Sequence, residues 1–372
     1  MLRMIMKKIE SSSFFIGKQG DGIISFGSGQ PDLPPPKEVF SVLSEKQRTF
    51  KYGLIQGEER LRNLLAKEYE GADAHNFVIC NGASEALDLI FRVLSGLSKR
   101  RKVLMPRPYY YSYPFMVKFA GLTPVYTDLK DGRIDLNDFE KKVRGCTAVL
   151  INSPSNPTGR VEDIETLKQI ERITQKLGIY LISDEVYKDL IYERVNYVPK
   201  GEQVITVNSF SKTFGMCGLR VGYLYSRDLN LVQKTIEMKV HTSMNTNTMA
   251  QEMAVAALLA PKSYIKKQKE IWRARRDFIY QGLTDLGFSA KDGCASGADL
   301  WKPEGAFYVF PKVKNSSKAV FDLFYKHKVI VYDGAWFGSP DRIRLSYALD
   351  IEKIKKGLER IGKYLKENKA VI

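Results

Sequence analysis

The chain has 372 residues, with 58 Lys and Arg against 42 Asp and Glu, a formal charge of +16, and 44% hydrophobic residues. That length exceeds one simple core and suits two units sharing a sheet-based core, and the composition excludes a disordered chain. No run approaches 18 apolar residues, which excludes a helical membrane span. The basic residues are scattered among acids, and the dense groups at Lys99–Lys102 and Lys266–Arg276 read as solvated helix faces. The charge is therefore taken as a field that attracts anionic ligands, with no nucleic-acid or membrane partner expected.

Cys80, Cys146, Cys217 and Cys294 are far apart, no CxxC pair occurs, and there are only three histidines. Neither a zinc site nor a disulfide framework is expected. The start, MLRMIMKKIE, is charged within its short apolar run, so no signal peptide is read there. The expectation is a reduced, cytoplasmic, soluble protein, with Met1, Met4 and Met6 as alternative starts.

In chain order, residues 1 to about 22 read as an amphipathic arm or short helix. ISFGSGQPDLPPP follows as a strand-like piece ending in an ordered loop at Gly29 and a proline cluster. Gly29 suits either a turn or a close backbone approach to a ligand. Tyr52 and a glycine-containing turn precede an amphipathic helix from near Glu58. FVICNGASEALDLIFRVL then runs from a strand through Asn81-Gly82-Ala83-Ser84 into a helix. The free amides and positive dipole end of such a helix bind anions, and an ordinary capped helix has the same pattern.

KVLMPRP reads as a strand, Tyr109 to Tyr113 as a tyrosine-rich helix start, and LTPVYTDL as another strand. TAVLINSPSNPTG is a strand ending in a proline-bracketed turn that contains Asn156. Ile164, Leu167, Ile170, Ile173 and Leu177 have helical spacing with Gly178 at the end, the stripe of a helix covering a sheet. IYLISDEVYKDLIY gives a strand ending at Asp184, Glu185 and Tyr187. This alternation points to an α/β fold with a mostly parallel sheet wrapped by helices, where ligands bind at the carboxyl ends of strands. Asn156, Asp184 and Lys212 each fall at that edge.

In QVITVNSFSKTFGMCGLRVGYLY an apolar strand delivers Lys212 to its end. A lysine amine attacks carbonyls to form a Schiff base, the chemistry of pyridoxal phosphate (PLP) enzymes, although a surface turn with a solvated lysine fits the segment equally well in isolation. Ser209 and Ser211 suit a phosphate, and Arg220 suits a two-bond grip on one. Beyond residue 230 the sequence reads as one long helical stretch, Leu231 to Leu259, and a charged helix through Arg276. GAFYVFPKV, KVIVYDG and RIRLSYALD read as three strands, with a helix near 317 to 327 and a closing helix from about 350. The division expected is an N-terminal arm over 1–36, a large domain over 37–262 and a smaller α+β domain over 263–372.

Taken in order, NPTG (Asn156 to Gly159), SDEVY (Ser183 to Tyr187), SFSKTFGMCGLRVGY and RLSY (Arg344 to Tyr347) resemble the class I/II aminotransferases of PLP fold type I, the group with aspartate, aromatic and kynurenine aminotransferases. The resemblance spans about Gly27 to Tyr347. It implies a seven-stranded-type sheet and a homodimer. It also implies a ping-pong transfer of the amino group of an L-amino acid, of aspartate or aromatic type, to a 2-oxo acid such as 2-oxoglutarate.

Residue by residue, it implies that Lys212 holds PLP as a Schiff base and then moves the proton, as anchor and general base. Asp184 would keep the pyridine nitrogen protonated, and Tyr187 and Asn156 would donate to the ring's phenolic oxygen. The phosphate would rest on the Ala83 and Ser84 amides, Ser209, Ser211 and Arg220. Tyr52 would reach the neighbouring subunit's cofactor. Tyr110, or its neighbour Tyr109, would stack on the ring. Arg344 would grip the substrate α-carboxylate, with Arg342 two positions away on the same strand as its rival, and Gly29 would close that side with its backbone. No second arginine is marked for a distal carboxylate. Histidinol-phosphate aminotransferase and cysteine-S-conjugate β-lyase share these residues, and a ligand-sensing nucleic-acid-binding regulator is the reading from another class.

Overall fold

The computed structural model describes residues 22–44, 51–130, 132–288 and 299–368. The expected arm up to residue 21, its three methionines and Cys294 lie outside the described residues.

The centre is an eight-stranded sheet of β2 (Phe77–Cys80), β3 (Lys102–Arg107), β4 (Thr123–Lys130), β5 (Arg133–Ile134), β6 (Cys146–Asn152), β7 (Tyr180–Asp184), β8 (Val204–Ser209) and β9 (Gly222–Ser226). The spatial order is β2-β9-β8-β7-β6-β3-β4-β5. From β4 through β3, β6, β7 and β8 every pairing is parallel, β9 runs against both its neighbours, and the two-residue β5 turns back along the edge. β2 and β8 are buried at every residue because both faces of the sheet are covered.

Alternation along the strands sorts side chains between the two faces. Val103, Met105, Leu150 and Ile182 pack with the helix Ala83–Leu97, while Leu104, Val149, Ile151 and Leu181 pack with Phe139, Leu167 and Ile170 from the helices on the other side. The helix Ile164–Lys176 stops where the sequence places its end, with Gly178 left-handed at φ 61°.

The stretch Leu231 to Leu259 is two helices, Leu229–Val240 and Thr248–Leu259, rather than one. Between them Met244 adopts φ 59°, and the Asn247 side chain caps the second helix by accepting from Ala250 N at 3.0 Å. Thr242, Ser243, Asn245, Thr246 and Asn247 offer side-chain hydrogen bonds that compete with the helical backbone, which is why the helix breaks here.

KVIVYDG is also split. Its first part, β11 (Val329–Ile330), pairs in parallel with β1 (Ile24–Ser25); its second, β12 (Tyr332–Asp333), joins β13 (Ile343–Ser346) and β10 (Tyr308–Val309) in a three-stranded antiparallel sheet. Phe26 continues the stitching, donating to Ile330 O at 2.8 Å and accepting from Ser346 N at 2.7 Å. Helices Ser316–His327 and Ile351–Asn368 follow the expected spans, and Gly357 lets the latter lie directly on Phe26.

Candidate active site

β6, β7 and β8 lie side by side and parallel, so Asn152, Asp184 and Ser209 end together at one edge of the sheet. Immediately beyond β8 the single turn Phe210–Thr213 carries Lys212. Ser209 caps that turn by accepting from Ser211 N at 3.1 Å. The Lys212 ammonium crosses to the loop after β1 and donates to Gly29 O at 2.6 Å.

Asp184 is buried at the end of β7. Its carboxylate accepts from the Tyr113 hydroxyl at 2.6 Å and from Val186 N at 3.2 Å. Burial pushes this carboxyl up to about 6, against the opposing pull of those two bonds and of nearby Lys212. Tyr187 faces Tyr308, hydroxyl to hydroxyl, at 2.7 Å, and burial raises its phenol well above the ordinary range.

Asn156 is held from β6: its amide N–H donates to Asn152 Oδ1 at 2.9 Å, and Asn152 in turn donates to Asp184 O at 2.9 Å. Asn156 Oδ1 accepts from Arg344 Nη1 at 2.9 Å, and Arg344 Nη2 donates to Gly27 O at 2.6 Å. The Arg344 guanidinium also lies 4.5 Å from the Tyr308 ring centre and 4.8 Å from that of Tyr332. Its Nε–H is buried without an acceptor among the described residues.

At the other end of the cavity the helix Ala83–Leu97 starts after Gly82, which has φ 79°. A Cβ there would stand 2.5 Å from Arg220 Nη2, so only glycine lets the guanidinium close over the helix start. Arg220, itself left-handed at φ 53°, donates to Cys217 O at 2.9 Å and to Asn81 O at 3.3 Å. The Ser209 hydroxyl donates to Ser211 Oγ at 2.8 Å. First-turn amides, two hydroxyls and a guanidinium thus make a positive, hydrogen-bonding cup.

One cavity of about 320 Å³ joins these parts. Its walls include Gly29, Ala83, Ser84, Tyr110, Asn156, Asp184, Tyr187, Ser209, Ser211, Lys212, Arg220 and Arg344. Tyr52 is not among them; it stands 85% exposed on the surface of the chain. Tyr109, the alternative to Tyr110, stacks instead on Tyr126 with ring centres 5.0 Å apart.

The chain matches the family model for aminotransferase class I and II over residues 21–361. It belongs to that family. It is 33% identical to the probable aspartate/prephenate aminotransferase of Aquifex aeolicus, over 94% of this chain and 92% of that one. It is 31% identical to aromatic-amino-acid aminotransferase 2 of Thermococcus litoralis, over 94% of each chain. A solved structure of the Thermus thermophilus aspartate aminotransferase with maleate superposes with a TM-score of 0.87 at 28% identity, covering 96% of this chain and 95% of that one.

In this aminotransferase, Arg344 lines the cavity and Arg342 does not. Arg342 precedes β13, and its guanidinium leaves the cavity to donate to Phe310 O at 2.8 Å and to stack 3.9 Å from the Trp301 ring centre. Sequence reasoning passed over Tyr113, Tyr308 and Asn152. Tyr113 lay in the tyrosine run and Tyr308 in GAFYVFP, but their partners are 71 and 121 positions away, and only folding brings them within reach. Asn152 carried a usable signal, since a polar residue ends the otherwise apolar β6.

Proposed function

We propose that this aminotransferase uses PLP to move the amino group of an L-amino acid of aspartate or aromatic type to a 2-oxo acid such as 2-oxoglutarate, in a ping-pong cycle. The observation that carries the reading is the convergence of Lys212, Asp184, Tyr187, Asn156, Arg220 and Arg344 on one cavity. The donor set fits the cofactor: the cup at Gly82 and Arg220 suits a phosphate dianion, and a buried carboxylate some distance along suits a basic ring nitrogen. Bound there, PLP supplies a carbonyl for the lysine and a ring that draws electrons from the substrate's α-carbon.

The chain's own residues do the rest. Lys212 is the general base that takes and returns the α-proton. Asp184 holds a proton on the ring nitrogen. Tyr187 and Asn156 donate to the ring oxygen, Tyr110 covers the ring face, and Ala83, Ser84, Ser209, Ser211 and Arg220 bind the phosphate. Arg344 receives the substrate α-carboxylate, for which its Nε–H, without an acceptor among the described residues, is a ready donor. Gly29 lines that end of the cavity.

The exposed Tyr52 supports a homodimer in which it completes the partner's site. A cytoplasmic setting accords with Cys80, Cys146 and Cys217 all being free thiols. The division into an arm to residue 36, a large domain to 262 and a small domain beyond belongs to the same reading.

The test is the absorption spectrum of the protein with PLP. A band near ~400–430 nm, fixed at Lys212 by borohydride and absent in Lys212→Ala, is expected. L-aspartate or an aromatic amino acid should bleach it with release of the matching 2-oxo acid. A band that no amino acid shifts, or pyruvate release from cystathionine as the only reaction, would sink the proposal. Mixing inactive Lys212→Ala with Tyr52→Phe chains tests the dimer, since hybrids should regain a site that neither parent has intact.

A further inference from the structure

A second cavity among the described residues, about 520 Å³, is larger than the one that gathers this chemistry. It lies behind the Lys212 turn, between the helix Glu59–Ala66, the residues after β7 and the start of the helix Ser263–Asp285. Ser209 is common to both cavities. One part of the larger cavity's wall is apolar: Leu65, Leu258 and Ile265 accompany an aromatic stack in which Phe214 lies between Phe210, at 5.5 Å, and Tyr264, at 6.2 Å.

The mouth is basic. Lys262, Lys266, Lys269 and Arg273 line it at spacings of i, i+4, i+7 and i+11, which puts them along one face of the helix and its first residue outside. This face is part of the run that composition alone assigns to solvent. Its neighbours on the same helix are tied down, Arg275 to Asp32 at 2.7 Å and Arg276 to Glu193. The four at the mouth have no ion-pair partner among the described residues.

Further in, the Lys188 ammonium sits 5.0 Å from the Tyr69 ring centre with no hydrogen-bond acceptor among the described residues. Three acids share the lining, Glu68, Asp189 and Glu270, and Asp189 is engaged by the Thr213 hydroxyl at 3.0 Å. Lys188 is balanced by the nearby Asp189, Glu68 and Glu185 carboxylates, whereas the four cations at the mouth stand together along one helix face.

We propose that this cavity is a second ligand site, for a small organic anion with an aromatic-sized apolar body. The body packs on Phe210, Phe214 and Tyr264, and the anionic group meets Lys266, Lys269 and Arg273. The proposal does not rest on the cofactor reading: Ser209 borders both cavities, but Phe210, Phe214, Tyr264, Lys266, Lys269 and Arg273 do not line the Lys212 cavity.

The probe is 8-anilinonaphthalene-1-sulfonate, titrated by fluorescence into the enzyme saturated with PLP, with the uncharged N-phenyl-1-naphthylamine as its companion. One sulfonate per chain is expected to bind. Lys269→Glu with Arg273→Glu, both on the helix surface, should weaken it about tenfold or more while leaving the neutral dye and the unfolding temperature unchanged. Three results overturn the proposal: no sulfonate binding to the wild-type enzyme, equal affinity in the double variant, or binding abolished by Arg344→Ala but kept in the double variant. The last would assign the dye to the Lys212 cavity and leaves the aminotransferase reading untouched.

Discussion

The Tyr113 hydroxyl donates to Asp184 Oδ2 across 2.6 Å, and both groups are buried. Tyr113 begins the helix Tyr113–Phe119 and Asp184 ends β7, so the bond ties a covering helix to the end of a central strand. It opposes the burial that raises the Asp184 carboxyl to about 6. Tyr113→Phe removes a hydrogen bond to a charged group, a loss of about 1.5–3 kcal/mol. The carboxyl then titrates higher, and the acid limb of the pH profile moves up by ~1 unit or more. PLP affinity, measured by equilibrium dialysis against pH, should fall most on the acid side. An unmoved profile would mean that Tyr113 only packs.

Arg344 and Arg342 should separate cleanly. Arg344→Lys keeps the charge but loses the planar fork, and KM for the amino donor should rise ~100-fold, the scale of one or two charge-assisted hydrogen bonds. Arg342→Lys loses the Trp301 stack and the bond to Phe310 O, so it should lower the unfolding temperature with KM unchanged. Steady-state kinetics and calorimetry on the pair decide between them.

Glu185 points away from the site chemistry, accepting from Ser183 Oγ at 2.6 Å, and burial raises it from 4.5 to about 7. The unfolded chain releases this proton near 4.5 and the folded chain only near 7, so its contribution favours folding at low pH and is lost as pH rises through that window. Glu185→Gln should therefore be stabilised relative to wild type at pH 8, with the difference vanishing below pH ~4.5. Denaturant melts at the two pH values read this directly, and a constant offset would contradict it.

Gly82→Ala places a Cβ against Arg220 and asks alanine to hold φ 79°. The backbone cost alone is about 1 kcal/mol or more. The displaced guanidinium should weaken PLP and inorganic phosphate binding together, by at least ~10-fold, while a pyridoxal lacking the phosphate binds as before. Dialysis against each of the three ligands tests it.

Much of the site was legible before folding because its signals are local. A buried β-branched run ending in Ser-Phe-Ser-Lys states by itself that a lysine sits at a strand end, and NPTG, SDEVY and RLSY each report their own turn or strand. The Leu231 to Leu259 stretch was misread because its apolar periodicity continues on both sides of His241 to Asn247, whereas the break depends on side-chain caps such as Asn247 that compete residue by residue. Arg342 and Arg344 share strand alternation, so only the RLSY context favours Arg344 in the sequence; that one guanidinium is drawn to Trp301 and the other held by Asn156 and Gly27 depends on partners far away in the chain.

The sequence by itself determined most of the succession of strands and helices, the residue types at the strand ends and therefore the class of chemistry, because hydrophobic period and turn chemistry act over a few neighbouring residues. Only the tertiary structure decided the strand order β2-β9-β8-β7-β6-β3-β4-β5, the meeting of Tyr113 with Asp184 and of Tyr308 with Tyr187, and which arginine enters the cavity. Those are distances between residues far apart in the chain. They are set by how the covered faces of the sheet and helices pack, and no local pattern carries them.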